Sequence, residues 1–287
     1  MSTGAQPDRL LKIVGISMLL GRKHLAPYGS VKSRKDFTQP QLMACLILRT
    51  YLKTTYRGVI EILAVSSELR EVIGLTKLPN YSTLKKFADR EGVLEAMDGM
   101  LATLAQAAAE PDAYLEAAMD ATGLESSAAS AHFVSRSGKR RKKYVKVSVL
   151  ILCGSLIPAS MVLDWGPGND KVQAKELMDK AALSVRPDLL YADAGYDAEW
   201  VHSYCVDWGV MGVIKPVRHK QDGSLGGVYR SQMTEKTLKD LGYGTRWEVE
   251  SFMSGMKRTM GSILNARTDR GLMTDAAMKV LAYAIRR

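Results

Sequence analysis

Apolar residues recur at helical spacing through the first hundred positions. Leu42, Cys45, Leu46, Leu48 and Leu52 form one stripe, Val59, Ile62 and Leu63 continue it, and Leu94, Met97, Met100, Leu101 and Leu104 make another. Thr38 before Gln39 and Pro40, and Ser82 before TLKKFADRE, read as helix starts. Residues from about 8 to 109 are therefore expected to be helical, ending in a short linker, AEPD, at Ala109 to Asp112.

The pattern then changes period. Tyr144 to Leu152, YVKVSVLIL, alternates and passes into a continuous β-rich run, as a half-buried strand entering a core would, and Ile157 to Leu163 supplies its hairpin partner. Tyr114 to Thr122 is a strand by context only, because Ala and Glu prefer helix. Asp170 can cap a helix through about Leu183, and Leu189 to Asp193 reads as a strand broken by Gly195. Asp197 reads as the cap of a helix ending at Gly209, Val210 to Ile214 as a strand, and Lys220 to Gly227 as a polar turn. A short helix over Thr234 to Leu241 and an amphipathic one over Thr274 to Arg286 complete the order.

That order, three strands, helix, strand, helix, strand and a late helix, predicts an α/β fold of ribonuclease-H-like type. Its mixed five-stranded sheet is flanked by helices and preceded by an all-helical N-terminal domain. The expected division is residues 1–110, an all-helical part, and residues 111–287, the α/β part.

A chain of 287 residues with 46% hydrophobic content can build a substantial core. The formal charge of +10, with a pI near 9.4, suits a polyanionic partner, and nucleic acid leads. Cys45, Cys153 and Cys205 are too scattered for a zinc site or a disulfide framework, which fits a reducing cytoplasm. No signal peptide is read at the start, and Val147 to Leu163, interrupted by Gly154, Ser155 and Pro158, suits two strands better than a membrane span.

The stretch from Tyr243 to Arg258, YGTRWEVESFMSGMKR, carries the densest chemistry. On a helix turning about 100° per residue, Tyr243, Arg246, Glu250 and Lys257 share one narrow arc with Trp247 and Ser254. Val249, Phe252, Met253, Met256 and Met260 face elsewhere, so the helix is amphipathic. A surface helix with ordinary charge pairs would look similar, since Arg246 and Glu250 form an i,i+4 pair. The spacing Tyr, two residues, Arg, three residues, Glu, six residues, Lys resembles the Tyr-Arg-Glu-Lys signature of bacterial insertion-sequence transposases of the Asp-Asp-Glu class. Asp120 in AMDATGLE is expected after a strand and before a turn, where a turn-forming role is the plainer reading. Asp193 in DAGYD ends an apolar strand, where α/β sheets place functional groups, and its context resembles the same families.

The resemblance covers residues from about 113 to 285. It implies a catalytic and metal-binding triad of Asp120, Asp193 and Glu250, with Tyr243, Arg246 and Lys257 holding phosphates near the cleaved end. Three crowded carboxylates repel, and hard divalent ions relieve that repulsion; two Mg²⁺ ions are the expected cofactor, with Mn²⁺ able to substitute. Trp247 is read either as a packing residue or as a platform for an unpaired base.

The run SRSGKRRKKYVK carries Arg136, Lys139, Arg140, Arg141, Lys142, Lys143 and Lys146 without an acid, and is read as a loop contacting DNA phosphates, with a solvated loop and a nuclear signal as the alternatives. LPNYSTLKKFADR is read as a solvated face rather than a groove-reading helix. His132, His202 and His219 lack metal spacing, and Trp165, Trp200 and Trp208 are expected in or near the core.

The implied activity is that of a DNA transposase that cuts the ends of an insertion sequence and joins the 3′-OH to target DNA. Its implied partners are double-stranded DNA, both terminal inverted repeats and target, and a second copy of the chain, with no membrane. The alternatives are a catalytically silent DNA-binding regulator and a metal-dependent nuclease that does not join strands. About 57 positions separate Asp193 from Glu250, too few for the large β-rich insertion some relatives use to protect DNA hairpins.

Overall fold

The computed structural model describes residues 9–110, 113–126, 144–217 and 225–287. The chain divides into two compact units, one of Leu101–Gly255 and one of Met1–Met100 with Met256–Arg287.

The first of these units is built on a sheet. Strands β1 (Glu116–Ser126), β2 (Tyr144–Leu152) and β3 (Ile157–Gly166) form an antiparallel meander, and β4 (Leu189–Ala192) and β5 (Met211–Ile214) add in parallel. Their spatial order is β3-β2-β1-β4-β5, so the first and fourth strands are neighbours, as the ribonuclease-H-like fold requires. Every residue of β2 after Tyr144 is buried, which is why its sequence runs apolar rather than alternating.

β1 forms despite its poor intrinsic preference because it is bonded on both sides, to β2 and β4. Ala117 and Ala118 are fully buried there. The strand does not stop at Thr122 as expected but runs on through Gly123 to Ser126, held by β2 across Gly123↔Lys146 and Leu124↔Val145. The ladder outweighs the turn preference of Asp-Ala-Thr-Gly.

Two helices complete the core on one face. Ala174, Leu177 and Met178 of the helix Lys171–Ala182, and Val201 and Cys205 of the helix Glu199–Trp208, cluster with Ala117, Met119, Leu150, Leu190 and Ala192. Trp208 packs against this cluster, Trp165 is half-buried, and Trp200 is 44% exposed, contrary to expectation, because it falls on the outer face of its helix. His202 is buried, and burial lowers the pKa of its imidazole.

Neither expected aspartate cap is used. Asp170 precedes the helix Lys171–Ala182 without capping it and pairs instead with Lys146 at 2.6 Å. Asp197 receives Arg230 through Nε and Nη2, both at 2.6 Å, and the N–H of Val217 at 2.7 Å. In each case a cation across the fold competes for the carboxylate and wins.

The other unit is helical. In chain order it contains α1 (Arg9–His24), α2 (Gln39–Tyr51), α3 (Tyr56–Val65), α4 (Ser67–Ile73), α5 (Tyr81–Ala88) and the first half of α6 (Val93–Ala108). α2 starts as read: Thr38 and Gln41 form a reciprocal capping box with Pro40 in the first turn. α5 starts two residues earlier than read, because Asn80 rather than Ser82 is its cap. The last helix spans Asp269–Arg286, longer than expected, and is buried nearly all round rather than amphipathic. Its Asp275 pairs with Arg49 of α2 at 3.2 Å, both side chains about nine-tenths buried. No described helix is long and apolar enough to cross a membrane.

Candidate active site

The parallel register of β1 and β4 sets Ala118 beside Tyr191 and Met119 beside Ala192. The next positions are Asp120 and Asp193, and strands lie about 4.8 Å apart, so the two aspartates leave the carboxyl edge of the sheet as neighbours. Burial pushes the Asp120 carboxyl up to about 6, and the charges of Asp193 and Asp170 add to the rise against the opposing N–H of Ala121 and the charge of Arg246. Asp193 accepts the N–H of Gly195 at 2.8 Å, which fixes its carboxylate over the turn that follows β4.

Gly195 explains itself at this point. A β-carbon there would lie 2.9 Å from Asp193 Oδ1 and 3.1 Å from Asp170 Oδ2. Two carboxylates thus flank a place that only glycine leaves open.

Over the same region lies the segment from Gly242 onward. Gly242 has φ of 66°, the left-handed region, and turns the chain into a 3₁₀ turn, Tyr243–Arg246, before the helix Trp247–Met260 begins. The expected single helix from Tyr243 is therefore split at Trp247: Tyr243 and Arg246 belong to the tighter turn. The turn is pinned to the sheet by Tyr243 Oη, which donates to the carbonyl of Ala192 at 3.2 Å. Tyr191 Oη supports it, lying 2.8 Å from the carbonyl of Leu241 and 2.7 Å from Glu116 Oε1. Glu248 accepts the N–H of Gly154 at 2.5 Å and ties the start of the helix to the β2–β3 turn.

Arg246 joins the acids. Its Nη2 is 2.5 Å from Glu250 Oε1 and its Nη1 3.9 Å from Asp120 Oδ2. Glu250 is consequently drawn toward the arginine, and among the described residues no group of three or more acidic, histidine or cysteine side chains is gathered tightly enough to hold a metal ion. The donors that do converge are all carboxylate oxygens. With the burial and the neighbouring carboxylates that raise the Asp120 carboxyl, they suit a hard divalent cation rather than a thiolate- or imidazole-loving one.

The remaining expected residues fall in different places. Trp247 is 59% exposed at the start of its helix. Lys257 lies further along that helix, half-buried, in the part that belongs to the helical unit. Arg136, Lys139, Arg140, Arg141, Lys142 and Lys143 lie outside the described residues. Lys146, read with that run, is instead buried in β2, its ammonium 2.6 Å from Asp170 and 2.9 Å from the carbonyl of Gly168.

Sequence reasoning gave Asp170 only a capping role. Its approach to Asp193 and Asp120 comes from the connection after β3, and no local spacing announces it.

A mixed sheet of this order, with aspartates paired at its carboxyl edge and an arginine–glutamate turn above, belongs to the ribonuclease-H-like polynucleotidyl transferases. Residues 112–285 match the family described as Transposase DDE domain, and the chain belongs to that family. A search of curated proteins found no match. Among solved structures, the cryo-EM structure of the piggyBac transposase synaptic complex with hairpin DNA is similar with a TM-score of 0.47 and 10% sequence identity. The alignment covers 97% of this chain and 72% of that one.

Proposed function

We propose that this transposase cuts DNA at the ends of an insertion sequence and joins the freed 3′ ends to target DNA, using Asp120, Asp193 and Glu250. The observation that carries the reading is the adjacency of Asp120 and Asp193 at the ends of two parallel strands, with Arg246 reaching from Asp120 to Glu250.

In the first transfer, water forms a bond to phosphorus and the bond from phosphorus to the 3′ oxygen breaks, leaving a 3′-OH and a 5′-phosphate. In the second, that hydroxyl attacks a target phosphate and a target 3′ oxygen leaves. Both are in-line displacements with no covalent enzyme intermediate. Arg246 presents a planar fork to non-bridging phosphate oxygens, Tyr243 a hydroxyl and Lys257 a point charge. Trp247, with its exposed indole, stacks on an unpaired base near the cut.

The family generally uses divalent ions; here Mg²⁺ is proposed, held by Asp120, Asp193 and Glu250, with Mn²⁺ as a substitute. When bound, such ions polarise the phosphate and favour ionisation of the attacking water. The basic run from Arg136 to Lys143 holds the DNA backbone, residues 1–110 bind DNA or dimerise, and residues 111–287 carry the chemistry. A homodimer handles the two terminal repeats together, at the nucleoid of a prokaryotic cytoplasm.

The test is strand cleavage and joining on the gene's own flanking DNA with Mg²⁺, with EDTA, and with Asp193→Asn. Metal-dependent cuts at the element ends followed by joined products are expected, and Asp193→Asn should give neither. Cuts without joining would reduce the activity to that of a nuclease. Tight binding without cutting would leave a regulator.

A further inference from the structure

Two cavities open on the helical unit. The larger, about 880 Å³, is walled by Arg49, Lys53, Arg57, Lys85, Lys86 and Arg267 among neutral side chains, with no carboxylate in its lining. The smaller, about 440 Å³, includes Lys257 and Lys279 and shares Arg49, Lys53, Thr54 and Asn265 with the first. The shared wall makes them one continuous tract. Asp275, the acid of the smaller cavity, is already engaged by Arg49 at 3.2 Å and by the N–H of Asn265 at 3.2 Å. Lys279 donates to the carbonyl of Met260 at 2.6 Å.

The cations divide by availability. Arg49 and Lys85 are paired with Asp275 and Asp89. Lys53, Arg57, Lys86 and Arg267 are exposed, and among the described residues they have no carboxylate partner. The Arg57 guanidinium carbon lies over the Tyr81 ring, 4.4 Å from its centroid, and that of Arg49 over Tyr56 at 4.2 Å, so both guanidiniums are braced by aromatic rings. Lys53 follows the end of α2 with φ of 51°, a backbone conformation that glycine adopts most easily at a helix end. Lys53, at the junction of the two cavities, puts a charge at a position whose backbone glycine would suit better.

We propose that this tract is a second DNA-binding surface, which holds the phosphate backbone of bound DNA without reading sequence. It extends from Lys257 past Lys53 to Lys86 and Arg267. The proposal rests on the reading of the chain as a DNA transposase and adds to it a phosphate-binding surface assembled from α2, α3, α5 and the segment before the last helix. The unbalanced positive wall selects a polyanion, and the ring-braced guanidinium of Arg57 suits a planar phosphate fork or a base face.

The experiment measures binding of the full chain to a labelled duplex of unrelated sequence, in EDTA, over a range of salt. The variant is Lys53→Gly, Lys86→Gln, Arg267→Gln together. The control removes as many charges elsewhere, by Lys12→Gln, Lys175→Gln and Arg186→Gln. Each lost phosphate contact flattens the plot of log affinity against log salt by about 0.9, so a change in slope of about 2 to 3 is expected for the tract variant and none for the control. An unchanged slope, or an equal change in the control, overturns the proposal; the first would also result if the tract served an acidic protein instead.

Lys53→Gly alone guards against misfolding. It should melt no lower than the parent chain, because glycine suits that φ, and still bind DNA more weakly. Cleavage by Glu250→Gln, measured in parallel, keeps the two readings apart. Continued cutting would remove the catalytic assignment and leave the tract intact, whereas an unchanged salt slope would do the reverse.

Discussion

Arg246 Nη2 stands 2.5 Å from Glu250 Oε1, one helical turn away, while the same guanidinium reaches toward Asp120 at 3.9 Å. Glu250 is 56% exposed, so solvent screens the pair and its contribution to stability is small, about 0.5 kcal/mol. An arginine held this loosely can exchange a carboxylate for a phosphate oxygen. Arg246→Gln should therefore leave the melting temperature nearly unchanged but slow strand cleavage by about 100-fold, close to 2.7 kcal/mol of transition-state stabilisation. Glu250→Gln should abolish cleavage and spare DNA binding. A thermal melt and a single-turnover cleavage assay on each variant check both; an Arg246→Gln chain that cuts at the parent rate would remove the guanidinium from the mechanism.

Gly195 is the next sensitive point. A methyl group there meets Asp193 Oδ1 at 2.9 Å and Asp170 Oδ2 at 3.1 Å, and both are side-chain ends that can swing aside. Gly195→Ala should consequently fold with a loss of about 1 kcal/mol or less yet displace Asp193, with cleavage falling at least tenfold. Equal cleavage by Gly195→Ala and the parent would mean that the position of Asp193 is not critical.

The buried pair of Lys146 and Asp170 predicts an asymmetry. Lys146 is 5% exposed and Asp170 33%, so the two charges are not equally able to return to water. Asp170→Asn strands an ammonium in β2 and should cost about 3 kcal/mol, whereas Lys146→Met removes the buried charge and leaves an acid that solvent can reach, costing about 1 kcal/mol. Chemical denaturation of the two variants gives the comparison directly. Equal losses would mean that Lys146 finds water or another acceptor besides the Gly168 carbonyl.

These points also mark what the sequence could and could not disclose. The apolar run of β2, the capping box of α2 and the alternation of strands and helices are local signals, and each led to the element observed. Asp193 was legible because a strand end followed by glycine is local too. The pairing of Asp120 with it depends on β1 lying beside β4, which a ribonuclease-H-like order predicts but no spacing within β1 states. The roles of Asp170, Asp197 and Lys146 were misread for one reason: each is set by a partner more than twenty positions away, and a nearby helix start offered a plausible local use for each aspartate. The split of the signature segment at Trp247 was hidden as well, because 3₁₀ turns are frequent at helix starts and four residues are too few for their period to differ visibly from that of an α-helix.

Asp197 and Arg230 make part of the fold's stability depend on pH in the acid range. Burial alone would raise the Asp197 carboxyl, but the Arg230 guanidinium and the Val217 N–H outweigh it and hold the pKa below the ordinary value of 3.8. A carboxyl whose folded pKa is depressed adds stability that is fully present above the unfolded pKa and is lost as pH falls through the folded one, so the contribution of this pair is present above about pH 4 and is lost below it. Arg230→Gln reverses the balance. With the guanidinium gone, burial dominates, the carboxyl of Asp197 rises above its unfolded value, and the side chain, 1% exposed, becomes an uncompensated charge at neutral pH. The variant should lose about 3 kcal/mol at pH 7, and part of that loss should be recovered as the pH is lowered toward 5 and Asp197 takes up a proton. Asp197→Asn in the same background should remove the recovery. Denaturant unfolding of the three chains at pH 5 and pH 7 decides it: a stability loss that does not depend on pH would show that Arg230 serves packing alone.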